Sequence, residues 1–252
     1  MPSQNRCVLF SYAHPDDESF LAAGTICKCR ADGAQVVLFT ATRGGAGRTG
    51  DPPVCSPAEL VSVREQELRE ASRILGIDYL HVHDFPDRDL ASTPTDAIRE
   101  ALVRIIRRHR PQVVVTFDPN GANRHPDHVA ISRFTTDAIA AAADPRWFPQ
   151  SGPAHQISRL VWTSVPRPWE AVRQEHLPDL PGVDFMIDTR AWWQEKALAL
   201  RAHRSQHLAT EKHYLKQQDQ EQLMAMEVFR QGWGPPLKQR PLDDLFAGLH
   251  IG

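Results

Sequence analysis

The stretch Cys7-Val8-Leu9-Phe10-Ser11-Tyr12-Ala13-His14-Pro15-Asp16-Asp17-Glu18 passes from an apolar run straight into one imidazole and three carboxylates. Residues 6–12 read as a buried strand, with the charged cluster at its carboxyl end. In an open α/β sheet, ligands bind at that end of the strands. Burying this much acid with nothing to neutralise it is costly. A divalent cation held by His14 and Asp17 would answer the problem and leave Asp16 free. The competing reading is the acidic first turn of a helix, which the macrodipole favours, with a proline near its start.

Working outward, Ser19 to Ala31 reads as a helix and Ala34 to Ala41 as a continuous β-rich run, suited to a strand covered on both faces. Thr42-Arg43-Gly44-Gly45-Ala46-Gly47-Arg48-Thr49-Gly50-Asp51-Pro52-Pro53 is a loop, and no Gly-Lys-Ser/Thr follows to make it a P-loop. Its two arginines suggest substrate contact at a pocket edge. Ser56-Pro57-Ala58-Glu59 opens a helix that runs to Leu75 and ends at Gly76. Tyr79 to Val82 is a short strand, Asp84 to Asp89 a polar loop, and Thr95 to Arg110 an amphipathic helix. Gln112 to Phe117 is the clearest parallel strand; a loop at 118–124 and a helix from Pro126 to Ala143 follow. Strand and helix alternate four times, which predicts an α/β fold: a Rossmann-like, mostly parallel sheet with helices on both faces.

The remainder is less regular. Leu160 to Thr163 and Asp184 to Ile187 predict strands, while Arg190 to His203 and Gln218 to Arg230 predict helices. Prolines 166, 168, 178 and 181 suggest a wall of irregular segments. No linker or repeat marks a second domain. One domain is expected over 1–252, with its core at about 6–206 and a C-terminal extension at about 207–252. Residues 232–249 are apolar enough to cap the core or an interface.

At 41% hydrophobic and 24% charged residues, with net charge −2, the 252-residue chain has the composition of an ordinary globular protein. No basic surface calls for nucleic acid as a partner. The cluster Arg104, Arg107, Arg108, His109 and Arg110 reads as a solvated helix end. No signal peptide is visible and no window approaches 18 apolar residues, so no stable membrane insertion is expected. Cys7, Cys27, Cys29 and Cys55 form neither a disulfide framework nor a zinc ribbon, which suggests reduced thiols in the cytoplasm. A homo-oligomer is compatible with all of this.

The second informative stretch is His125-Pro126-Asp127-His128, which also follows a strong strand and a turn-rich loop. Alone it could be a helical turn with surface histidines. Two such clusters, each after a strand, can meet at one sheet edge. His128 then joins His14 and Asp17, and three protein ligands with an open position is the layout of a catalytic zinc. Asp16 could take a proton from water on the ion, and His125 could protonate a leaving group or stabilise an oxyanion. Asp127 could accept the free N–H of His125 and fix its tautomer. The chemistry so assembled is hydrolysis of an amide or ester.

Ala13-His14-Pro15-Asp16-Asp17-Glu18 together with His125-Pro126-Asp127-His128 resembles the LmbE-like, or N-acetylglucosaminyl-phosphatidylinositol deacetylase-like (PIG-L), family. Thr42-Arg43-Gly44, Arg64 with Glu67, Leu75-Gly76, Thr116-Phe117-Asp118-Pro119 and Ala202-His203-Arg204-Ser205-Gln206 extend the resemblance over residues 7 to 206. It implies a zinc-dependent N-deacetylase of N-acetylglucosamine derivatives, acting on a small acetylated amino sugar. Zinc would sit on His14, Asp17 and His128, with Asp16 as general base, His125 as general acid and oxyanion stabiliser, and Asp127 tuning His125. Arg43 would contact sugar hydroxyls, and His203 and Gln206 would support the site from a later helix. Gly45 departs from the family, many of whose members have Glu there, which bears on the substrate.

Three rival readings stay open on the residues. One is an amidase or esterase on a non-sugar substrate. Another is a nucleotide-binding module, which lacks GxGxxG or Walker residues here. The third is a metal-binding regulator. Trp147, Trp162 and Trp169 could stack on a sugar, though tryptophans in irregular segments more often belong to the core.

Overall fold

The computed structural model describes residues 6–163, 166–180 and 182–250. From the N-terminus, β1 (Cys7–Tyr12) leads into α1 (Asp17–Leu21) and α2 (Ala23–Ala31). Then come β2 (Gln35–Thr40), α3 (Leu60–Leu75), β3 (Tyr79–Val82), α4 (Thr95–His109), β4 (Val113–Phe117), α5 (Gly121–Arg124) and α6 (Pro126–Ala143). The remaining elements are β5 (Arg159–Thr163), α7 (Pro168–Ala171), β6 (Phe185–Asp188), α8 (Trp193–Ala202), α9 (His207–Thr210), α10 (Gln220–Leu223) and β7 (Met226–Trp233).

The strands form one seven-stranded sheet in the order β3-β2-β1-β4-β5-β7-β6. The first five run parallel, while β7 is antiparallel to both neighbours. Helices cover both faces, so the central strands are buried on both sides, and Val8, Leu9, Phe10, Val113, Val114 and Val115 are all fully buried. The chain leaves β1 toward β2, yet β4 flanks β1 on the other side. Strand order therefore reverses between β1 and β4, and a crevice opens there at the carboxyl ends. Among the described residues, no helix is long and apolar enough to cross a membrane.

Four expectations need correction. The helix foreseen from Ser19 to Ala31 is broken at Ala22 (φ −144°). The break turns the start of α2 toward a buried carboxylate, so that Gly24 and Thr25 donate their N–H groups to Glu227 at 3.1 and 2.8 Å. Gly24 is required there, because a Cβ would lie 2.4 Å from Thr189 Cβ. The helix foreseen from Gln218 to Arg230 is one turn, α10, followed by β7. Glu227 disguised that strand: it is wholly buried, with Lys196 Nζ 2.6 Å away. Residues beyond 206 are also no appendage, since β7 lies between β5 and β6 and Leu245 and Phe246 join the main core. Within 232–249, Leu237, Leu242 and Leu249 also pack against that core. Finally, Arg107 is buried rather than solvated, donating to the carbonyls of Ala141 and Ala142 in the last turn of α6 and of Asp144 and Phe148 just beyond it. Pro181 lies outside the described residues.

Candidate metal and active site

The two acid-and-histidine clusters meet at the β1–β4 crevice. His14 and Asp17 follow β1, His128 lies in the first turn of α6, and all three are buried. His14 Nδ1 stands 3.2 Å from His128 Nε2, His128 Nε2 stands 3.3 Å from Asp17 Oδ1, and His14 Nδ1 stands 3.7 Å from Asp17 Oδ2. Tetrahedral coordination with bonds of about 2.0–2.2 Å puts neighbouring donors roughly 3.3–3.6 Å apart. The spacings of His128 Nε2 to His14 Nδ1 and to Asp17 Oδ1 match this, while the approach of Asp17 to His14 Nδ1 is by its other oxygen, Oδ2.

Each donor is held by its unused atoms. Asp17 Oδ2 accepts from the backbone N–H groups of Ala13 and His14 at 3.1 and 2.8 Å. His128 Nδ1 lies 3.3 Å from the Gly121 carbonyl, which only a donor can satisfy, so Nε2 is the free lone pair. The His128 ring stacks on Phe117 with centroids 4.0 Å apart. His14 Nε2 faces Asp127 Oδ2 at 3.0 Å and Asp87 Oδ1 at 3.2 Å, which leaves Nδ1 for an ion. Carboxylates behind a metal-binding imidazole orient it and raise its basicity. Burial opposes protonation of His14, but Asp127, Asp87 and Asp17 outweigh it and hold its pKa up at about 10. Burial likewise opposes ionisation of Asp17, yet His128 and His14 bring its carboxyl well below the usual range.

Asp127 corrects an expectation. Its carboxylate serves His14, with further N–H donors from Arg88 at 2.6 Å and Leu90 at 3.1 Å. The link to His125 is made by the backbone instead: the Asp127 N–H donates to His125 Nδ1 at 3.2 Å. His125 is thus the N-cap of α6, and its neutral ring carries the proton on Nε2. Burial, with His14 and His128 nearby, lowers its pKa. Among the described residues, the groups of three whose donor atoms all lie within 4.8 Å of one another are His14–His125–His128 and His14–Asp87–Asp127. In the first, His125 Nδ1 is already committed to the helix end; in the second, the acids serve the far nitrogen of His14.

Asp16 has φ 123°, a strained value for a residue with a Cβ, worth about 1–3 kcal/mol. Its Oδ2 accepts from buried Arg64 at 3.1 Å, and Arg64 also donates to the Pro15 and Gly44 carbonyls. Burial raises the Asp16 carboxyl to about 6 against the pull of Arg64.

The cleft has a volume of about 300 Å³. One wall carries His14, Asp16, Asp17, Arg64, His125 and His128; the other includes Phe20, Arg167, Trp169 and His213. Arg43 is not on it: its guanidinium pairs with Glu65 at 2.6 Å. The cations on the cleft besides Arg64 are Arg88 and Arg167. Of the three tryptophans, Trp169 lines the cleft, Trp162 packs against Gly232, and Trp147 stacks under Arg99. Gln206 lines the cleft and donates to the Arg48 carbonyl at 2.8 Å, tying down the glycine-rich loop. A Cβ at Gly45 would lie 2.7 Å from Val61 Cγ2. Sequence reasoning passed over Asp87; its signal was an acid-rich loop after β3, at the same sheet edge as the other clusters.

The family pattern described as PIG-L: GlcNAc-PI de-N-acetylase matches residues 9–139. The chain is 32% identical over 239 residues to 1D-myo-inositol 2-acetamido-2-deoxy-alpha-D-glucopyranoside deacetylase from Rhodococcus jostii, covering 80% of this chain and 82% of that one. The conserved protein TT1542 from Thermus thermophilus superposes with a TM-score of 0.70 at 28% identity, covering 92% of this chain and 98% of that one. The N,N'-diacetylchitobiose deacetylase from Pyrococcus horikoshii shares the fold, with a TM-score of 0.69 at 23% identity over 90% of this chain and 83% of that one.

Proposed function

This chain belongs to the PIG-L (GlcNAc-PI de-N-acetylase) family, and from that premise we propose that it removes the acetyl group from an N-acetylglucosamine derivative, giving acetate and a free amine. The observation that supports the reading is the convergence of His14, Asp17 and His128, from two distant stretches of the chain, beside one cleft. Two imidazoles and one carboxylate with an open position suit zinc, and these three would hold it. A bound divalent ion supplies Lewis acidity, acidifying water and polarising an acyl carbonyl.

The chain's own groups do the rest. Asp16 Oδ1, the oxygen not paired to Arg64, takes the proton of the attacking water. A carboxyl raised to about 6 is a stronger base than an ordinary one and is still mostly ionised at neutral pH. His125, neutral and with Nδ1 taken by the Asp127 N–H, donates its Nε2–H to the oxygen of the tetrahedral intermediate and keeps that proton, while Asp16 returns the proton it took from water to the nitrogen as the C–N bond breaks. Asp127 acts on His14 with its carboxylate and on His125 with its N–H, holding the proposed ligand and the oxyanion donor in register. Sugar hydroxyl contacts fall to Arg88 and Arg167, which reach the cleft where Arg43 does not. Four unpaired thiols support a cytoplasmic setting.

The test is amine release from a panel of acetylated amino sugars, with and without metal, for wild type and Asp16→Asn. Wild type should turn over at least one glucosaminide. Asp16→Asn should keep its metal and lose about 10²–10⁴-fold in kcat. Absence of release from every substrate would reject the reading, and full activity in the variant would remove Asp16 as base.

A further inference from the structure

Asp16 has φ 123° and ψ −27°, a backbone conformation that residues with a Cβ rarely adopt. Such a conformation persists only where the surroundings over-determine it. The Asp16 N–H donates to Glu18 Oε2 at 3.1 Å, and the Asp16 carbonyl accepts from Ser19 and Phe20, each at 3.0 Å. Glu18 is fully buried, although it lies on neither wall of the cleft. Its other oxygen, Oε1, accepts from Ser19 Oγ at 2.5 Å and from His203 Nε2 at 2.8 Å.

His203 is wholly buried too, and its Nδ1 has no partner among the described residues. A buried, unsatisfied ring nitrogen is a cost that packing alone does not explain. The contact of His203 with Glu18 accounts for a histidine at this position. The turn that presents His203 is pinned in its own right: Ser205 donates through N and Oγ to Glu67 at 2.8 and 2.6 Å. Glu67 stands one turn along α3 from Arg64, which grips the Asp16 carboxylate. Side chain and main chain of Asp16 are therefore held from separate directions, one by Arg64 and the other by Glu18.

We propose that Glu18, backed by His203, is a positioning residue that fixes the main chain of Asp16 and so aims its carboxylate at the cleft. Neither residue touches substrate. The inference rests on the reading of Asp16 as general base, and its test separates the two.

Glu18→Ala should lower kcat at least tenfold, with KM and metal content per chain unchanged. Glu18→Gln should recover most of the loss. Its amide oxygen can accept the Asp16 N–H, and its NH₂ can donate to His203 Nε2 once the ring proton moves to Nδ1. His203→Phe keeps the bulk and removes the donor, so it should lower kcat in the same direction; it also stands in if Glu18→Ala fails to fold. In an Asp16→Asn background, Glu18→Ala should cost nothing further, because both changes act through one group. Losses that multiply, or an equal loss in Glu18→Gln, would overturn the proposal. A readout independent of turnover is amide hydrogen exchange at Asp16 by NMR, which should quicken at least tenfold in Glu18→Ala. Unchanged exchange overturns the proposal. Quickened exchange in a protein that deacetylates nothing supports it and rejects the functional reading instead.

Discussion

At the scale of single residues, the site is governed by which ring nitrogen is left free. Asp127 and Asp87 occupy His14 Nε2, and the Gly121 carbonyl occupies His128 Nδ1. Changing Asp127 to Asn should weaken metal binding about 10–100-fold, read by competition with a chromophoric chelator. The convergence of His14, Asp17 and His128 was legible in the sequence because they stand in two compact motifs that each follow a strand. The partner of Asp127 was not legible, because a neighbour two residues away looks nearer than a ring contributed by another strand. A second residue-scale prediction lies away from the site. His81 Nε2 and His109 Nε2 are 2.9 Å apart, and burial, with His81 and Arg108 adding to it, holds His109 down at about 4 from 6.5. Between those values the unfolded chain binds a proton that the folded chain does not. The contribution of His109 to stability should therefore be level above about 6.5 and fall as pH drops toward about 4. His109→Asn should flatten that slope in denaturant titrations run at several pH values.

At the scale of elements, loops of fixed shape deliver the ligands. The turn after β4 brings Gly121, at φ 68°, against the helix it precedes, so that a Cβ would fall 2.8 Å from His128 Cβ and from Val129 N. Gly121→Ala should displace His128 and lower metal content after dialysis, with the fold retained by circular dichroism. Arg107 works at the other end of the same helix by gathering four carbonyls. Arg107→Met should cost about 1–3 kcal/mol in urea unfolding, the penalty for buried acceptors left unpaired. The apolar runs of β1, β2 and β4 made those strands readable. The two misread helices failed for a common reason: Glu227 is a charge inside the core, and one acid both interrupts the apolar pattern of β7 and bends the start of α2. Apolar patterning carries no information about a charge neutralised by a lysine 31 residues away.

At the scale of the whole molecule, the sheet is joined by a buried ion pair and by a strand out of sequence order. Lys196 and Glu227 are both fully buried, so Lys196→Met should cost about 3–5 kcal/mol by leaving a buried carboxylate alone. Its midpoint in urea would show this, and a shift below about 1 kcal/mol would contradict it. The late position of β7 has a consequence for biogenesis. Among the described residues, β6 bonds along its length only to β7, with a single bridge to Leu242. During vectorial synthesis, residues 185–188 therefore emerge before either partner exists, and Glu227 arrives after the helix starts and the lysine that wait for it. A nascent chain stalled before residue 226 should stay open to protease on its β5 side, whereas one extended past residue 246 should close.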